Sequence, residues 1–553
     1  MTRKQSVSLI VSFLAVVLLA AGAWYVFFHH AAPDKSDNED SRTGTLPVIT
    51  VETSYPGADA TTIQDTIAAP IEQEVNGVEG MMYTVSRSAN DGTYTLQIAF
   101  QPGTDLNIAQ VLVQNRVALA MPKLPELVKM RETVVKKRQP GVLAIVTLGT
   151  KARQNGPLEL SNHANQKIKD ELARVTGVAD VVCIGPLGER ARQDPFAMLN
   201  GSPIAALVVW PIRAGQAREV TAEVEKRLAT LRKELPEGMA LELSFDFAPL
   251  MEGAKEANAA DCLVVDVQMP DAASSERTRG VLDRCEALLR KSPGVKDVLS
   301  LSQSPFDLSS ERACQVVRVD HDEKRSREEL LATLRRQLDR EIQEARIGLR
   351  DLTGPRRFPY CAYPLDLAVY DTKGLGLLAL QKEADSLVER LRQSPKLVDA
   401  TTRFRATVPL LRFKIDREQV KSLGVSMDDL LKVLQTGAGL IVQVNKDPPN
   451  DRIQQVIVPG RADFVDLAQK LGQFQVRNNQ GEAVPLSKLI EVRATDGPQA
   501  IMRFNMYPMA EVTANPAPGV SLAEAREECE RIARDTLKEA YRLGWLSQVP
   551  PSR

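Results

Sequence analysis

The sequence predicts an α+β protein built of tandem ferredoxin-like (split βαβ) units behind a single N-terminal transmembrane helix. Three observations carry this reading. An uncharged, mostly apolar run, Val7 to Phe28, precedes a chain that is otherwise soluble in character. Residues 47–135 alternate strand and helix patterns in the order β-α-β-β-α-β, the signature of a split βαβ unit. The phrase "helix, G-V-x-D-V, strand" then recurs. It stands at Gly177-Val178-Ala179-Asp180-Val181, at Gly294-Val295-Lys296-Asp297-Val298, and more loosely at Leu397-Val398-Asp399-Ala400. Three recurrences with the same flanking order favour internal repetition over ordinary α/β punctuation.

A helix over residues 7–28 spans about 30 Å of hydrocarbon. Arg3 and Lys4 precede it, which keeps residues 1–6 in the cytoplasm. Trp24, Tyr25, Phe27 and Phe28 fall at the outer interface, where aromatic rings favour the headgroup level. The competing reading is a cleaved signal peptide, with Ala21-Gly22-Ala23 as an acceptable site. The apolar run continues through the aromatics beyond that site, which favours an uncleaved anchor. Either way the bulk of the chain is expected outside the cytoplasm, single-pass and attached to the inner membrane. Residues 29–46 form a polar linker.

Composition excludes several classes of function. The chain has 553 residues, 43 % hydrophobic and 25 % charged, as in packed multidomain proteins. Lys and Arg number 70 against 71 Asp and Glu, a net charge of −1, and only 5 % of residues are aromatic. Neither a basic field nor a stacking platform invites nucleic acid. The six cysteines show no C-x-x-C spacing, and the four histidines include His29 and His30 beside the membrane. No zinc site is expected, and buried small hydrophobes describe the cysteines better than a disulfide framework does. Nucleotide, serine-hydrolase and zinc-protease motifs are absent from the sequence. Asp320-His321-Asp322 reads as a solvated loop rather than a general base. The expectation is therefore a non-enzyme without cofactor or metal.

The elements follow in order. PVITVETSYPG is a strand entering a turn at Tyr55, Pro56 and Gly57, where Pro presets φ and Gly accepts a positive one. Ala58 to Val75 is helical, with Pro70 marking a kink or break and Asn76-Gly77 a stop. Met81–Ser88 and Tyr94–Phe100 are strands joined by Asn90-Asp91-Gly92, a hairpin signal. Asn107 to Met121 is the second helix. Further pairs are Val142–Leu148 with Leu158–Val175, Leu263–Met269 with Ser274–Arg290, and Leu365–Tyr370 with Leu378–Gln393. Residues 324–346 form an amphipathic helix whose charges alternate in sign.

These residues resemble the resistance–nodulation–division (RND) efflux pump family, especially its hydrophobe/amphiphile, acriflavin-resistance-like permeases. The clearest stretch is residues 54–125, from SYPGADATTIQDTIAAPIEQEVNGVEG to NRVALAMPKLP. TGVADV (176–181), NGSPIAALVV (200–209), LPEGMALELSFD (235–246), FKIDREQVKSLGVSMDDL (413–430) and GEAVPLSKLIEV (481–492) add to it. The resemblance implies porter subdomains at 47–135, 136–252, 261–355 and 360–407 with 498–548, plus one docking-type subdomain at 408–497. It also implies departures. The family's block of membrane helices between the two halves is replaced by KEANAA, no span follows Leu546, and the docking insertion of the first half is largely missing at 188–199.

The family's proton-coupling carboxylates and lysine lie in membrane helices, whereas the run Val7 to Phe28 holds no ionisable residue. The family's drug pocket is rich in phenylalanine. At the matching strand end this chain has Ile184 where an aromatic is expected, and Phe306 is the best surviving aromatic. Phe358, Tyr360 and Tyr363 either line the cleft or serve packing around Pro359 and Pro364. The resemblance thus implies an RND-type efflux component for hydrophobic and amphiphilic compounds, not proton-coupled alone and dependent on partner chains. The alternative is a membrane-anchored binding or adaptor module that modulates a full-length pump. Expected partners are membrane lipid through one helix and other efflux-complex chains, and a homo-oligomer is compatible with the sequence.

Overall fold

The computed structural model describes residues 46–546, apart from 56–57, 91, 139–140, 151–155, 186–195, 252–261, 271–272, 274, 307–312, 320–326, 352–363, 428, 431–432, 434–453 and 457–473. The run Val7–Phe28 and Asp320-His321-Asp322 lie outside the described residues. No described helix is long and apolar enough to cross a membrane.

Four α/β units share one strand order. In the first, β1 (Val48–Ser54), β2 (Met81–Ala89), β3 (Thr93–Phe100) and β4 (Val134–Lys137) pair antiparallel in the order β4-β1-β3-β2. The second holds β5 (Ala144–Thr150), β6 (Val178–Ile184), β8 (Ser202–Pro211) and β9 (Met239–Asp246), with the short β7 (Ala197–Leu199) ahead of β8. Its order, β9-β5-β8-β6, is the same. The third is β13-β10-β12-β11, with β10 (Cys262–Gln268), β11 (Val295–Leu301), β12 (Ala313–Val319) and β13 (Arg346–Asp351).

The fourth unit is interrupted. It opens with β14 (Leu365–Asp371) and β15 (Leu397–Thr402) and closes with β21 (Ala500–Phe504), β22 (Tyr507–Pro516) and β23 (Tyr541–Trp545). Its order is β23-β14-β22-β15. Between its parts, β16 (Val408–Ile415) pairs with β17 (Gln454–Val456) and β20 (Ile490–Gly497), while β18 (Gln475–Arg477) pairs with β19 (Ala483–Pro485). A separate small core forms there around Val420, Leu430, Val476 and Leu486.

Two strands join units from opposite halves of the chain. β7 leaves the second unit to pair with β11 of the third, and β21 leaves the fourth to pair with β2 of the first. The result is two nine-stranded sheets, one from units one and four, the other from units two and three. Each sheet carries helices over one face. Strand residues of even spacing point to those helices: Ile49 and Val51 of β1 meet Ile63, Ile67, Ile71 and Val75, while Val48 faces the other way.

Of the kink or break expected at Pro70, the first helix, α1, shows no break; its irregularity is a widened turn just before the proline. It runs Ala60–Ile63, then a π turn Gln64–Ala68, then Ala69–Val75, without interruption. Asp59 caps it by accepting from the Thr62 N–H at 2.5 Å. The Thr66 hydroxyl donates to the Thr62 carbonyl at 2.6 Å inside the π turn. α2 follows at Leu106–Ala120. α3 has the same construction as α1, Pro157–His163, a π turn Ala164–Ile168, then Lys169–Ala173, with no proline at the matching place. The first helices of units one and two share this widened turn, whereas those of units three and four, Ser275–Leu289 and Leu377–Arg392, are regular throughout; Pro70, which has no N–H to donate, is tolerated beside the widened turn. The remaining long helices are α4 (Ala217–Glu234), α5 (Ser275–Leu289), α6 (Arg327–Glu341), α7 (Leu377–Arg392) and α8 (Leu522–Thr536).

Candidate functional site

The helix-free faces of units two and three form one apolar cluster. It combines Ile145 (β5), Ala206 and Val208 (β8), Phe245 (β9), Val264 (β10), Leu299 and Leu301 (β11) and Val316 (β12). Ile184, at the end of β6, is part of it and is buried. Phe306, just past β11, packs half-buried against its edge. The structure thus brings Ile184 and Phe306 into the same cluster. Phe358, Tyr360 and Tyr363 lie outside the described residues.

Phe306 is the end of an aromatic row. Its ring meets Phe247 edge-to-face at 5.6 Å between centroids, and Phe247 stacks on Phe245 at 6.4 Å with 9° between planes. Both arrangements suit the ring quadrupole. Cations sit over three faces: Arg350 over Phe306 at 5.7 Å, Arg318 over Phe245 at 5.3 Å, and Arg138 over Trp210 at 4.1 Å. Arg350 is 2 % exposed and forks onto the equally buried Asp266, with Nη2 donating to Oδ1 at 2.6 Å and Nε to Oδ2. This pair fixes the guanidinium in one plane, and the planar ion offers the aromatic row a polar end.

Sequence reasoning missed most of this row. Phe245 and Phe247 are two apart and so share a face of the strand end. Asp266, a lone charge inside the apolar strand Leu263-Val264-Val265-Asp266-Val267, signals a buried ion pair, since an unpaired carboxylate there would be very costly. Arg350 is 84 residues away and carries no local signal.

Tyr55 is buried in the first unit's helix-side core. Its N–H donates to the Gly92 carbonyl at 2.7 Å, and its carbonyl accepts from the Ala58 N–H at 3.1 Å. Pro56 and Gly57 lie outside the described residues. A surface groove of about 650 Å³ between α3 and α4 is lined by charged residues that pair among themselves, Glu171 with Arg174 and Arg227, and offers little to an apolar compound. Among the described residues no cluster of His, Cys, Asp or Glu has metal-ligating geometry. The described cysteines are free thiols, and burial pushes Cys285 and Cys529 up to about 12, which leaves them inert.

Two sheets that each draw strands from both halves of the chain, with an apolar seam inside one of them, define a two-half α/β fold. The sequence profile of the AcrB/AcrD/AcrF family matches residues 44–192 and 255–550, and the chain belongs to that family of RND efflux transporters. Among curated relatives, it is 37 % identical over 150 residues to the solvent-resistant pump membrane transporter SrpB of Pseudomonas putida, covering 27 % of this chain and 14 % of that one. It is 36 % identical over 172 residues to the multidrug export protein AcrF of Escherichia coli strain K12, covering 31 % and 16 %. It is 38 % identical over 139 residues to the multidrug resistance protein MdtF of the same strain, covering 25 % and 13 %. The matched stretches therefore span a small part of these relatives.

Proposed function

We propose that this chain is the porter part of an RND-type efflux transporter for hydrophobic and amphiphilic compounds. The observation that carries this reading is the apolar seam between units two and three, with Phe306, Phe247 and Phe245 in a row and Arg350 at its end. Apolar walls with a few fixed polar groups suit amphiphilic ligands. The strand order common to the four units supports the ferredoxin-like reading of porter subdomains at 47–135, 136–252, 261–355 and 360–407 with 498–548. The small β16–β20 region supports a docking-type subdomain at 408–497.

Residues 7–28 are proposed as an inner-membrane anchor with the chain beyond them periplasmic. That run holds no ionisable residue, so this chain alone is not proton-coupled and relies on partner chains for energy. A homo-oligomer is supported by the exposed apolar stripe of Ile108, Val111 and Leu119 along α2. The second reading, an adaptor that modulates a full-length pump without transporting, draws on the bridge KEANAA between the halves, which is too short and polar for a membrane helix.

Titration of the purified chain with a hydrophobic fluorescent dye tests the seam. Phe306→Ala weakens binding several-fold while the fold persists by circular dichroism; unchanged affinity rejects the site. Deleting the chain in cells separates the two readings. Lost efflux without a co-purifying full-length pump favours the porter, and altered efflux with one favours the adaptor.

A further inference from the structure

The geometry points to Asp399 as a latch that holds the third and fourth units together, with Asp180 in the same part between the first and second. This goes beyond the transport reading, because it assigns the side chains that hold a seam closed.

The second strand of every unit loses register against its neighbour near its start: at Met81/Tyr83, Val178/Asp180, Val295/Asp297 and Val398/Thr401. Such irregularities re-aim a side chain. In three units the residue at that place is the aspartate of the sequence repeat. Asp399 adopts φ 56°, a left-handed conformation that few non-glycine residues take, and aspartate is among the tolerant ones.

The carboxylate of Asp399 reaches out of its own unit. Arg335 on α6 of the third unit donates to Oδ2 at 2.6 Å, and Asn515 on β22 donates to the same oxygen at 2.8 Å. Asn515 also donates to the Leu349 carbonyl on β13 of the third unit at 3.3 Å. Asp180 repeats the arrangement one half earlier. Lys136 of the first unit's β4 approaches its Oδ2 at 2.7 Å, and Arg138, in the connection that follows β4, at 3.5 Å. The same two cations pair with Glu52 of β1 at 2.8 and 3.2 Å.

Asp297 supplies the contrast. It too crosses its seam, accepting from Asn200 of the second unit at 2.8 Å, but its ion pair, with Arg318 at 2.9 Å, stays within its own unit. Its seam, between units two and three, is already closed by the β7–β11 ladder. No strand pairing links units one and two, or three and four, among the described residues. Those two seams carry side-chain contacts instead, ion pairs beside neutral bonds such as Asn515 to Leu349, and an ion pair is weakened by salt and lost with a single charge, whereas a ladder of backbone hydrogen bonds is not. The aspartates therefore sit where the molecule can part.

Double electron–electron resonance between spin labels at the exposed positions Arg336 and Lys396 tests this, in a background with Cys183→Ser and Cys361→Ser. Asp399→Asn tolerates the left-handed backbone and removes the charge. Asp399→Asn and Arg335→Gln each broaden the distance distribution toward longer values, the double variant goes no further than either, and high salt reproduces part of the change in the unsubstituted chain. A distribution that stays narrow in either folded variant overturns the latch, even if the melting midpoint falls, because the pair would then be a local stabiliser only. Should a variant fail to fold, the salt series on the unsubstituted chain decides, and an invariant distribution overturns the proposal.

Discussion

Asn505 stands in for a β-strand against Thr84. Its N–H donates to the Thr84 carbonyl at 3.0 Å, and its side-chain Oδ1 accepts from the Thr84 N–H at 2.9 Å. Asn200 makes the same two bonds to Val298, both at 2.9 Å. Both asparagines have positive φ, 47° and 51°, at the tips of the hairpins that carry β21 and β7 into the opposite half of the chain. Asparagine combines tolerance of that backbone with an acceptor carbonyl on a short side chain. Asn505→Ala and Asn200→Ala each leave a strand N–H without its acceptor and strain the turn. Each is expected to cost about 1–3 kcal/mol, read as a lower midpoint in urea. Unchanged midpoints would show that the clamps are dispensable.

Glu286 lies buried beneath the second of these hairpins, where the Ser300 hydroxyl donates to it at 2.9 Å. Burial raises its carboxyl above the ordinary 4.5, against the lowering pull of Ser300 and Arg290. A raised carboxyl favours the folded state while it remains protonated. That contribution is fully present below the unfolded value and is lost as pH rises through the folded one. Glu286→Gln removes the titration, so its melting temperature minus that of the unsubstituted chain grows from pH 4 to pH 8. A constant difference would refute this account.

The buried pair Asp266–Arg350 is expected to punish single changes. Asp266→Ala leaves a desolvated guanidinium and costs about 3–5 kcal/mol, whereas Asp266→Leu with Arg350→Met restores much of that loss. Urea unfolding of the three chains checks it, and a double variant no more stable than Asp266→Ala would contradict it.

The bond from the Ala58 N–H to the Tyr55 carbonyl spans the residues of a β-turn. If Gly57 supplies the positive φ that the Pro-Gly sequence suggests, Gly57→Val costs more than about 1 kcal/mol. An unchanged melting temperature means a different turn.

The anchor reading predicts that protease added to spheroplasts digests the bulk of the chain, since Arg3 and Lys4 hold the N-terminus inside. Full protection would reverse the topology.

The sequence by itself determined the elements. Apolar period placed α1 at Ala60–Val75 and α2 at Leu106–Ala120 within two residues of the expected spans, because periodicity is a local consequence of one buried face. The repeat at Asp180, Asp297 and Asp399 was visible as spelling, whereas Asp266 went unread although its charge stands inside an apolar strand. Tertiary structure decided the rest. Nothing local in Ala197–Leu199 or Ala500–Phe504 says that each pairs across the chain with β11 and β2, since a strand's edges accept any partner and the choice rests on contacts between residues as far apart in sequence as 98 and 421 positions. The same holds for the three aspartates. One spelling gives two side chains whose cation comes from a neighbouring unit and one whose cation is its own unit's, and only packing assigns which cation each of them meets.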